Sequence, residues 1–294
     1  MTTDDLLFSA LGSVRINPTL TLDLLSLAWE RQQESGFLPA GMAHSSEDEY
    51  QIPALPIAGF LLEKIYRNFT VVDLQDSIFK TYVKKALDFH RWWHKYWVDE
   101  NSSLLVIPKI WENSFFSTPS KGKITDTSKS IFFNSLMIAS NESLIHLGGK
   151  LGLDISDLID AQELAVFCLN EDFWDEQKGT YRIDSSNLPV EISEIAPLLG
   201  GIPTQDQAEQ ILNRLCLKYA IDQVQPVPPA DGGFIELMKN PLYNWMLVTG
   251  LQRYDMSDMA EFFAGFYLQG FNPEKVEDVQ RMWQSAMYLN IRRA

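Results

Sequence analysis

The stretch NPLYNWMLVTGLQRYDMSDMAEFFAGFYLQG, Asn240 to Gly270, contains two helical patterns separated by a very short joint. The first pattern opens with Asn-Pro, which places an N-cap residue before a proline at the first helical position. Apolar residues then recur at helical spacing on both sides of the joint RYDMSD. Because so short a joint makes two successive helices lie antiparallel, the stretch predicts a helical hairpin.

The same arrangement recurs along most of the chain. A second Asn-Pro pair opens a helical pattern from Asn17 to Gly36, where the glycine is expected to end the helix. Another short joint, GLDIS, separates two further patterns. We count about eleven helical segments in all. Besides those already named, they include residues 52–69, 74–97, 130–152, 155–170, 204–220 and 277–294, and the apolar stripe of 130–152 consists of Phe133, Leu136, Met137, Leu144 and Leu147.

The loops between the helix pairs differ from the joints within them. They are longer and carry proline, glycine, aromatic and acidic residues. Repeated helical hairpins with elaborate loops are typical of a toroid or a solenoid. Because no exact sequence repeat is visible, a closed toroid is favoured over an open array. We therefore predict an all-α toroid formed by a single domain, residues 1–294.

Composition restricts the partners of the chain. Its 294 residues carry a formal net charge of −15 at pH 7. Nucleic acids and anionic membranes are bound by clustered Lys and Arg, so this charge argues against either as the main partner. The N-terminus lacks the pattern of a signal peptide, and no apolar run reaches the length of a membrane span. We expect a cytoplasmic protein in which Cys168 and Cys216 are buried, reduced thiols.

Six segments, taken in chain order, match motifs of one enzyme group. They are DDLLFSALG with RQQESGFLPAGMAH, then QIPALPIAGFLLEKIY, RWWHKYWVDENSSLL, FWDEQKGTYRID, APLLGGIPTQDQAEQILNRL and NPLYNWMLVTGLQRYD. This series resembles the α/α-toroid glycosidases of glycoside hydrolase family 63 and the trehalases, especially the bacterial mannosylglycerate and glucosylglycerate hydrolases. The resemblance covers nearly the whole chain and implies an (α/α)6 toroid. Because we count about eleven helices and six helical hairpins need twelve, an incomplete toroid at the N-terminus is left open.

The resemblance also indicates the site. The segment WENSFFSTP corresponds to the family motif W-E-S-G-x-D-N-S-P, whose aspartate is the general acid. Trp111 and Glu112 match the motif, and Asn113 replaces its serine. Phe115 stands at the free position and Phe116 at the position of the acid. Since phenylalanine cannot protonate a leaving oxygen, the resemblance implies that the general acid is lost.

The second carboxylate of the family is altered as well. The family motif G-F-Y-E-Y-F-N-P corresponds here to GFYLQGFNP, with Leu268 or Gln269 at the position of the base. Inverting glycosidases need two carboxyl groups about 6.5–9.5 Å apart, so both catalytic groups are missing by this resemblance. Glu274, Glu277 or Asp278 could replace the base, although capping the last helix is the favoured role of these acids.

The candidate site is therefore built around one remaining carboxylate. Glu112 could bind substrate hydroxyls or serve as an acid or base, but it could equally anchor its loop by accepting backbone N–H bonds. Replacing the acid by phenylalanine makes the pocket more apolar. The expected substrate-binding residues are Asp5, Gln51, Trp111, Asn113, Phe115, Phe116 and Tyr243.

Histidines and acids elsewhere give no metal motif. His90 and His94 are four apart on one helix but lack the glutamate of H-E-x-x-H, which favours core or rim histidines. The run HSSEDEY, residues 44–50, is favoured as a solvated loop because adjacent acids point in different directions. His146 stands one turn from Glu142 and is expected to pair with it. We expect neither a metal ion nor a cofactor.

Several functions remain compatible with the sequence. The first is a glycosidase-fold protein without glycosidase activity that binds a carbohydrate or another small molecule. The second is a repurposed enzyme, such as a cyclase or isomerase, that folds a largely apolar substrate against the aromatic residues with Glu112 as acid. The third is an interaction protein in which the toroid only presents a surface, and a glycosidase with relocated carboxylates is a further alternative.

Overall fold

The computed structural model describes residues 2–41, 52–69, 75–109, 111, 126–182, 190–223, 238 and 240–270. Ten helices and three pairs of two-residue strands lie in these ranges. The helices are α1 Thr3–Ser13, α2 Pro18–Trp29, α3 Ala58–Asn68, α4 Gln75–Trp97, α5 Ile131–Lys150, α6 Ser156–Phe173, α7 Val190–Gly200, α8 Gln205–Lys218, α9 Pro241–Arg253 and α10 Ser257–Gly270. The antiparallel strand pairs are β1 Val98–Asp99 with β2 Leu104–Leu105, β3 Ile107–Pro108 with β4 Thr127–Ser128, and β5 Trp174–Asp175 with β6 Thr180–Tyr181.

The helices form two concentric layers. The odd-numbered helices α1, α3, α5, α7 and α9 contact one another in chain order and form the inner layer. A contact between the rings of Phe8 and Trp245, with centroids 5.4 Å apart, joins α9 back to α1. Each even-numbered helix packs on the inner helix that precedes it. The fold is thus an all-α toroid of helical hairpins, as the sequence predicts.

The inner helices run in the same direction. Asp4, in the first turn of α1, accepts a hydrogen bond from the backbone of Leu55, just before α3. Along α3 and α5, Gly59 bonds Ser140, and further on Glu63 bonds Ser143. Because the starts of the inner helices therefore lie at one end of the toroid, the long connections that precede them lie there as well. We call this the loop end.

Burial separates the two layers. On the inner helix α5, every residue from 131 to 141 is buried, so the buried surface exceeds the single apolar stripe that the sequence predicts. On the outer helix α6, only Leu158, Ala165 and Leu169 are buried. A helix that is buried all round lies in the interior of its domain, whereas a one-sided helix covers it.

A buried hydrogen-bond chain ties three helices together around His90. The Gly59 backbone N–H donates to Ser140 Oγ at 2.8 Å, and Ser140 Oγ lies 2.7 Å from His90 Nε2. On the other side of the ring, Nδ1 is 2.9 Å from Asn141 Oδ1. Since an amide oxygen only accepts, Nδ1 carries the proton and Nε2 accepts from the serine. His90 is a core histidine and His94 is half-buried, in agreement with the sequence interpretation.

Proline explains the main errors in the predicted helix bounds. The pattern at 52–69 predicts one helix, but α3 begins only at Ala58, because Pro53 and Pro56 favour extended backbone before it. Pro53 instead forms an antiparallel bridge with Pro39. The inner helix α7 is absent from the predicted segments and contains Pro197 in its interior.

Other local predictions are corrected as follows. The helix α2 ends at Trp29 and not at Gly36, and α1 is absent from the predicted segments. His146 does not pair with Glu142. Its Nδ1 lies 2.6 Å from Glu63 Oε1, whereas Glu142 pairs with Arg253 on α9 at 2.6 Å. Cys216 is buried as predicted but Cys168 is only half-buried, and both are free thiols.

The close approach of α3 to α5 predicts a local packing defect. An added Cβ at Gly59 would lie 2.5 Å from Leu144 Cγ and 2.6 Å from the Ser140 carbonyl oxygen. We expect Gly59→Ala to lower the free energy of unfolding by about 1–3 kcal/mol, because two helix backbones must separate. Chemical denaturation measures this loss. The matched control is Gly149→Ala in α5, where nothing lies within 4 Å of the added atom. This control should be neutral or stabilising by up to about 1 kcal/mol, and equal losses in both variants would contradict the packing account.

The burial of His90 predicts a loss of stability in acid. Burial lowers the pKa of His90 from 6.5 to about 3, so the unfolded chain binds a proton that the folded protein does not. The contribution of His90 to the free energy of unfolding is therefore fully present above pH 6.5 and falls by about 1.4 kcal/mol for each pH unit below it. Urea denaturation between pH 4 and 8 should show that the stability difference between wild type and His90→Gln narrows as the pH falls. A constant difference between wild type and His90→Gln would contradict the prediction.

Candidate functional site

The loop end contains an anchored hairpin that holds the expected active-site loop. Strand β3 pairs with β4 through Ile107 and Ser128, and Lys109 forms an ion pair with Asp126 at 3.1 Å. Trp111, which follows β3, is only 5% exposed. These contacts fix both ends of the segment 112–125 immediately before α5.

Trp111 is held by an aromatic cluster from the end of α4. Its ring centroid lies 4.5 Å from that of Trp97 and 6.0 Å from that of Trp93. Both contacts are close to perpendicular, which is a favoured geometry for aromatic pairs. The residue before Glu112 is therefore rigidly placed. The other expected residues of this loop lie outside the described residues, namely Glu112, Asn113, Phe115 and Phe116. Gln51 also lies outside the described residues.

The residue that follows Gln51 lies beside the start of α1. The carbonyl of Ile52 accepts a hydrogen bond from the Ala40 backbone at 2.8 Å, and the carbonyl of Ala40 accepts one from Thr3 at 2.7 Å. The chain on either side of the segment 42–51 is thus fixed at the loop end. We predict that three loops converge at this end, those carrying Gln51, Glu112 and Tyr243.

Asp5 has a local structural role. Its Oδ2 accepts the Thr2 backbone N–H at 2.7 Å, and its own N–H donates to Thr2 Oγ1 at 3.0 Å. This reciprocal pair is a capping box that starts α1. The carboxylate of Asp5 is therefore engaged in capping the helix, although it lies at the end of the toroid where the sequence predicts the site.

Asp4 is a buried carboxyl group that the predicted site does not include. It is only 8% exposed, and its Oδ1 accepts the Leu55 N–H at 3.0 Å. Burial raises the pKa of Asp4 from 3.8 to about 7, and the neighbouring charge of Asp5 adds to the effect. A signal was present in the sequence, because Asp4 shares the helical stripe of Leu7, Phe8 and Leu11.

Three buried aromatic rings close the toroid one turn below Asp4. Trp245 of α9 contacts Phe8 of α1 at 5.4 Å and Phe60 of α3 at 6.0 Å between ring centroids. Each ring is almost fully buried. Asp4 and Phe8 are four residues apart and so lie on one face of α1. We call these four residues the Asp4 site.

Tyr243 lies in the first turn of α9. Its backbone N–H donates to the N-cap residue Asn240 at 3.1 Å, and its side chain is fully buried. The structure therefore places Asp5, Trp111 and Tyr243 on the elements of the loop end. In the part of the chain that the structure describes, no three His, Cys, Asp or Glu residues are arranged to hold a metal ion.

Comparison with known proteins agrees with this architecture. No family model matches the chain. An alignment 147 positions long, which covers 45% of the chain, is 24% identical to mannosylglycerate hydrolase from Rubrobacter radiotolerans, and it covers a third (33%) of that protein's length. The crystal structure of glycoside hydrolase family 63 mannosylglycerate hydrolase from Thermus thermophilus with glucose has a TM-score of 0.73 and 17% identity, covering 98% of this chain and 92% of that one.

A more distant enzyme has the same arrangement of helices. Neutral trehalase from Saccharomyces cerevisiae has a TM-score of 0.67 at 10% identity, and the match covers 98% of this chain and 70% of that chain. The chain has the fold of the (α/α)6 glycosidases. The family 63 enzyme from Thermus thermophilus is also known in complex with Tris and D-glycerate.

In this glycosidase-like toroid, the position that the sequence resemblance assigns to the base lies at the end of α10. Leu268 and Gln269 belong to its last turn. Since α10 returns along α9 after a joint of three residues, that turn lies at the loop end. No helix in the described ranges is long and apolar enough to cross a membrane.

The buried carboxyl of Asp4 predicts a stability that falls as the pH rises. With its pKa raised from 3.8 to about 7, Asp4 binds its proton more tightly in the folded than in the unfolded state. The contribution of Asp4 to the free energy of unfolding should therefore fall between pH 4 and 7, by up to about 4 kcal/mol. Asp4→Asn keeps an oxygen for the Leu55 N–H but cannot ionise. Urea denaturation should show similar stabilities of variant and wild type at pH 4 and a more stable variant at pH 8.

The exposed acid Asp23 on α2 provides the control. Asp23→Asn should follow the wild-type profile throughout. If the stability of Asp4→Asn also changed with pH as that of the wild type does, ionisation of Asp4 would not lower the free energy of unfolding. The burial of Asp4 would then have no electrostatic consequence.

Proposed function

We propose that this glycosidase-like protein binds a carbohydrate or another small hydroxylated molecule at the loop end and does not hydrolyse glycosides. Two things support the proposal: the toroid fold that the chain shares with sugar-cleaving enzymes, and the sequence resemblance, which assigns Phe116 to the position of the general acid. The fold supports a ligand site of the inherited type, and the altered residue argues against the inherited reaction.

The chemistry of inversion explains why two substitutions abolish it. One carboxyl group must protonate the leaving oxygen while a second activates water on the opposite face of the sugar. Each proton-transfer group contributes about 10²- to 10⁴-fold to the rate. Phe116 cannot donate a proton, and neither Leu268 nor Gln269 can accept one from water. Losing both groups leaves binding as the remaining capability of the site.

The described part of the loop end suits a hydroxylated ligand. Trp111 and Tyr243 are buried aromatic side chains on the elements of the loop end, and they make the interior at this end apolar. Asp4 adds a hydrogen-bonding group. Lys109 and Asp126, by contrast, form an ion pair with each other. Few polar groups against an apolar wall are typical of small-molecule sites.

A second candidate function is a hydrolase with a relocated acid. Asp4 favours it, because burial gives this carboxyl a pKa of about 7, as a general acid at neutral pH requires. Glu112 could serve as its partner. This function would need both groups to reach one glycosidic bond, and we rank it below simple binding.

We expect no hydrolysis of trehalose, mannosylglycerate, glucosylglycerate or aryl glycosides above the uncatalysed background. Isothermal titration with D-glucose should nevertheless detect binding, and a release assay on each glycoside measures the activity. Phe116→Asp should not restore hydrolysis, because the base position is altered too. A turnover above about 1 per second that is lost in Asp4→Asn or Glu112→Gln would instead establish the relocated-acid enzyme.

A further inference from the structure

We propose that a cavity on the outer wall of the toroid, between α2 and α4, binds a small zwitterion, namely an α-amino acid with an apolar side chain. The cavity has a volume of about 320 Å³. Ligand pockets in proteins usually occupy about 300–1,000 Å³, so this one suits a small molecule. The inference goes beyond the binding function proposed for the loop end and does not depend on it.

The cavity belongs to the outer layer of helices. Its lining residues come from the last turn of α2, from the C-cap residue Glu30 and from the first half of α4. None of the lining residues lies on an inner helix. The candidate site at the loop end is built, by contrast, on the starts of the inner helices and the connections before them. The cavity is therefore a separate site.

Two opposite charges line the cavity without pairing. Lys85 Nζ donates to the carbonyl of Trp29 at 3.1 Å, which engages one of the three ammonium protons. Glu30 Oε1 accepts the Ser26 hydroxyl at 3.4 Å. Within the described ranges, neither Lys85 nor Glu30 forms an ion pair with the other or with a third charged group. A ligand with one carboxylate and one ammonium group would satisfy both.

The position of Glu30 favours a cationic partner. As the C-cap residue of α2, it places a negative charge at the negative end of the helix dipole. The last turn of α2 has no basic residue that would offset this charge. Lys85 reaches the same helix end but bonds the Trp29 carbonyl and not the carboxylate. An ammonium group of a ligand beside Glu30 would remove the unfavourable interaction.

The donors around the cavity favour a carboxylate as the second group. Ser26, Thr81 and Tyr82 line the cavity with hydroxyl groups, which can donate to a carboxylate oxygen. Burial raises the pKa of Tyr82, so its hydroxyl keeps the proton that it would donate. Trp29 also lines the cavity and is 1% exposed, and its indole N–H has no acceptor among the described residues. Buried donors without acceptors are costly, and a ligand oxygen would satisfy them.

The remaining wall is apolar. Ile78 and the ring of Trp29 contribute to the lining, together with the aliphatic stem of Lys85. An α-amino acid with an apolar side chain combines both charges and an apolar surface in a small molecule. A neutral sugar would leave Lys85 and Glu30 without partners, and a dicarboxylate would be repelled by Glu30.

The first test compares three probes on the wild type by isothermal titration at neutral pH. The probes are L-leucine, isocaproate, which lacks the ammonium group of leucine, and isoamylamine, which lacks its carboxylate. We expect L-leucine to bind and the other two to bind at least about tenfold more weakly, because each lacks one set of charge-assisted hydrogen bonds. This comparison needs no variant, so it does not depend on how a variant folds.

The second test assigns the charges to residues. Lys85→Gln and Glu30→Gln should each weaken the binding of L-leucine at least about tenfold. In Lys85→Gln the affinities for L-leucine and isoamylamine should differ by less than about threefold, since the partner of the carboxylate is gone. The matched controls are Lys84→Gln and Glu34→Gln, which change exposed residues that do not line the cavity. Both controls should bind L-leucine as the wild type does.

The outcomes separate this site from the loop end. The inference is overturned if L-leucine does not bind, if all three probes bind the wild type equally, or if neither variant weakens L-leucine. Displacement of L-leucine by D-glucose would place both ligands at the loop end and would also overturn it. Binding of L-leucine without binding of D-glucose would support the cavity and contradict the function proposed for the loop end.

Discussion

The complete burial of residues 131–141, the first half of α5, is the constraint on which the rest of the toroid depends. A helical segment that is buried on every side must satisfy each of its polar side chains within the protein. Asn134 does so by accepting the Leu105 N–H at 2.7 Å and donating to the Leu105 carbonyl at 3.1 Å, which fixes β2 against the first turn of α5. Ser140 does so through His90, which fixes α4. The polar residues of α5 thus determine where its neighbours lie.

The acids of the inner layer divide into two kinds. Glu63 on α3 accepts hydrogen bonds from Ser143 at 2.7 Å and from Arg67 and His146 at 2.6 Å each. Burial raises the pKa of Glu63, but the bonds from Ser143 and Arg67 outweigh it and leave the pKa below its usual value. Asp4 accepts the Leu55 N–H and has no cation paired with it among the described residues, and its pKa is high. A buried carboxyl that the fold leaves without compensation is typical of a functional site, whereas a compensated one is structural.

Much of the fold could be predicted from the sequence because its signals are local. Asn17, Thr204 and Asn240 each accept a backbone N–H as N-caps, as their positions before helical patterns predict. The site was less predictable, because it depends on which elements meet. The helical spacing of His146 and Glu142 suggests a pair, yet each binds a residue more than eighty positions away. The apolar stripe of α1 indicates that Asp4 is buried, but its hydrogen bond to Leu55, in the segment before α3, is not visible in that local pattern.

Close packing constrains the inner layer at both ends of the toroid. Gly59, in the first turn of α3, and Gly250, in the last turn of α9, leave no room for a Cβ, and a change there must move a helix backbone. These contacts join the inner helices through Ser140, Leu144, Leu198 and Leu199, and none of them involves the positions that the sequence resemblance assigns to catalysis, Phe116 and either Leu268 or Gln269. The frame of the toroid and its expected catalytic positions are thus carried by different residues of the chain.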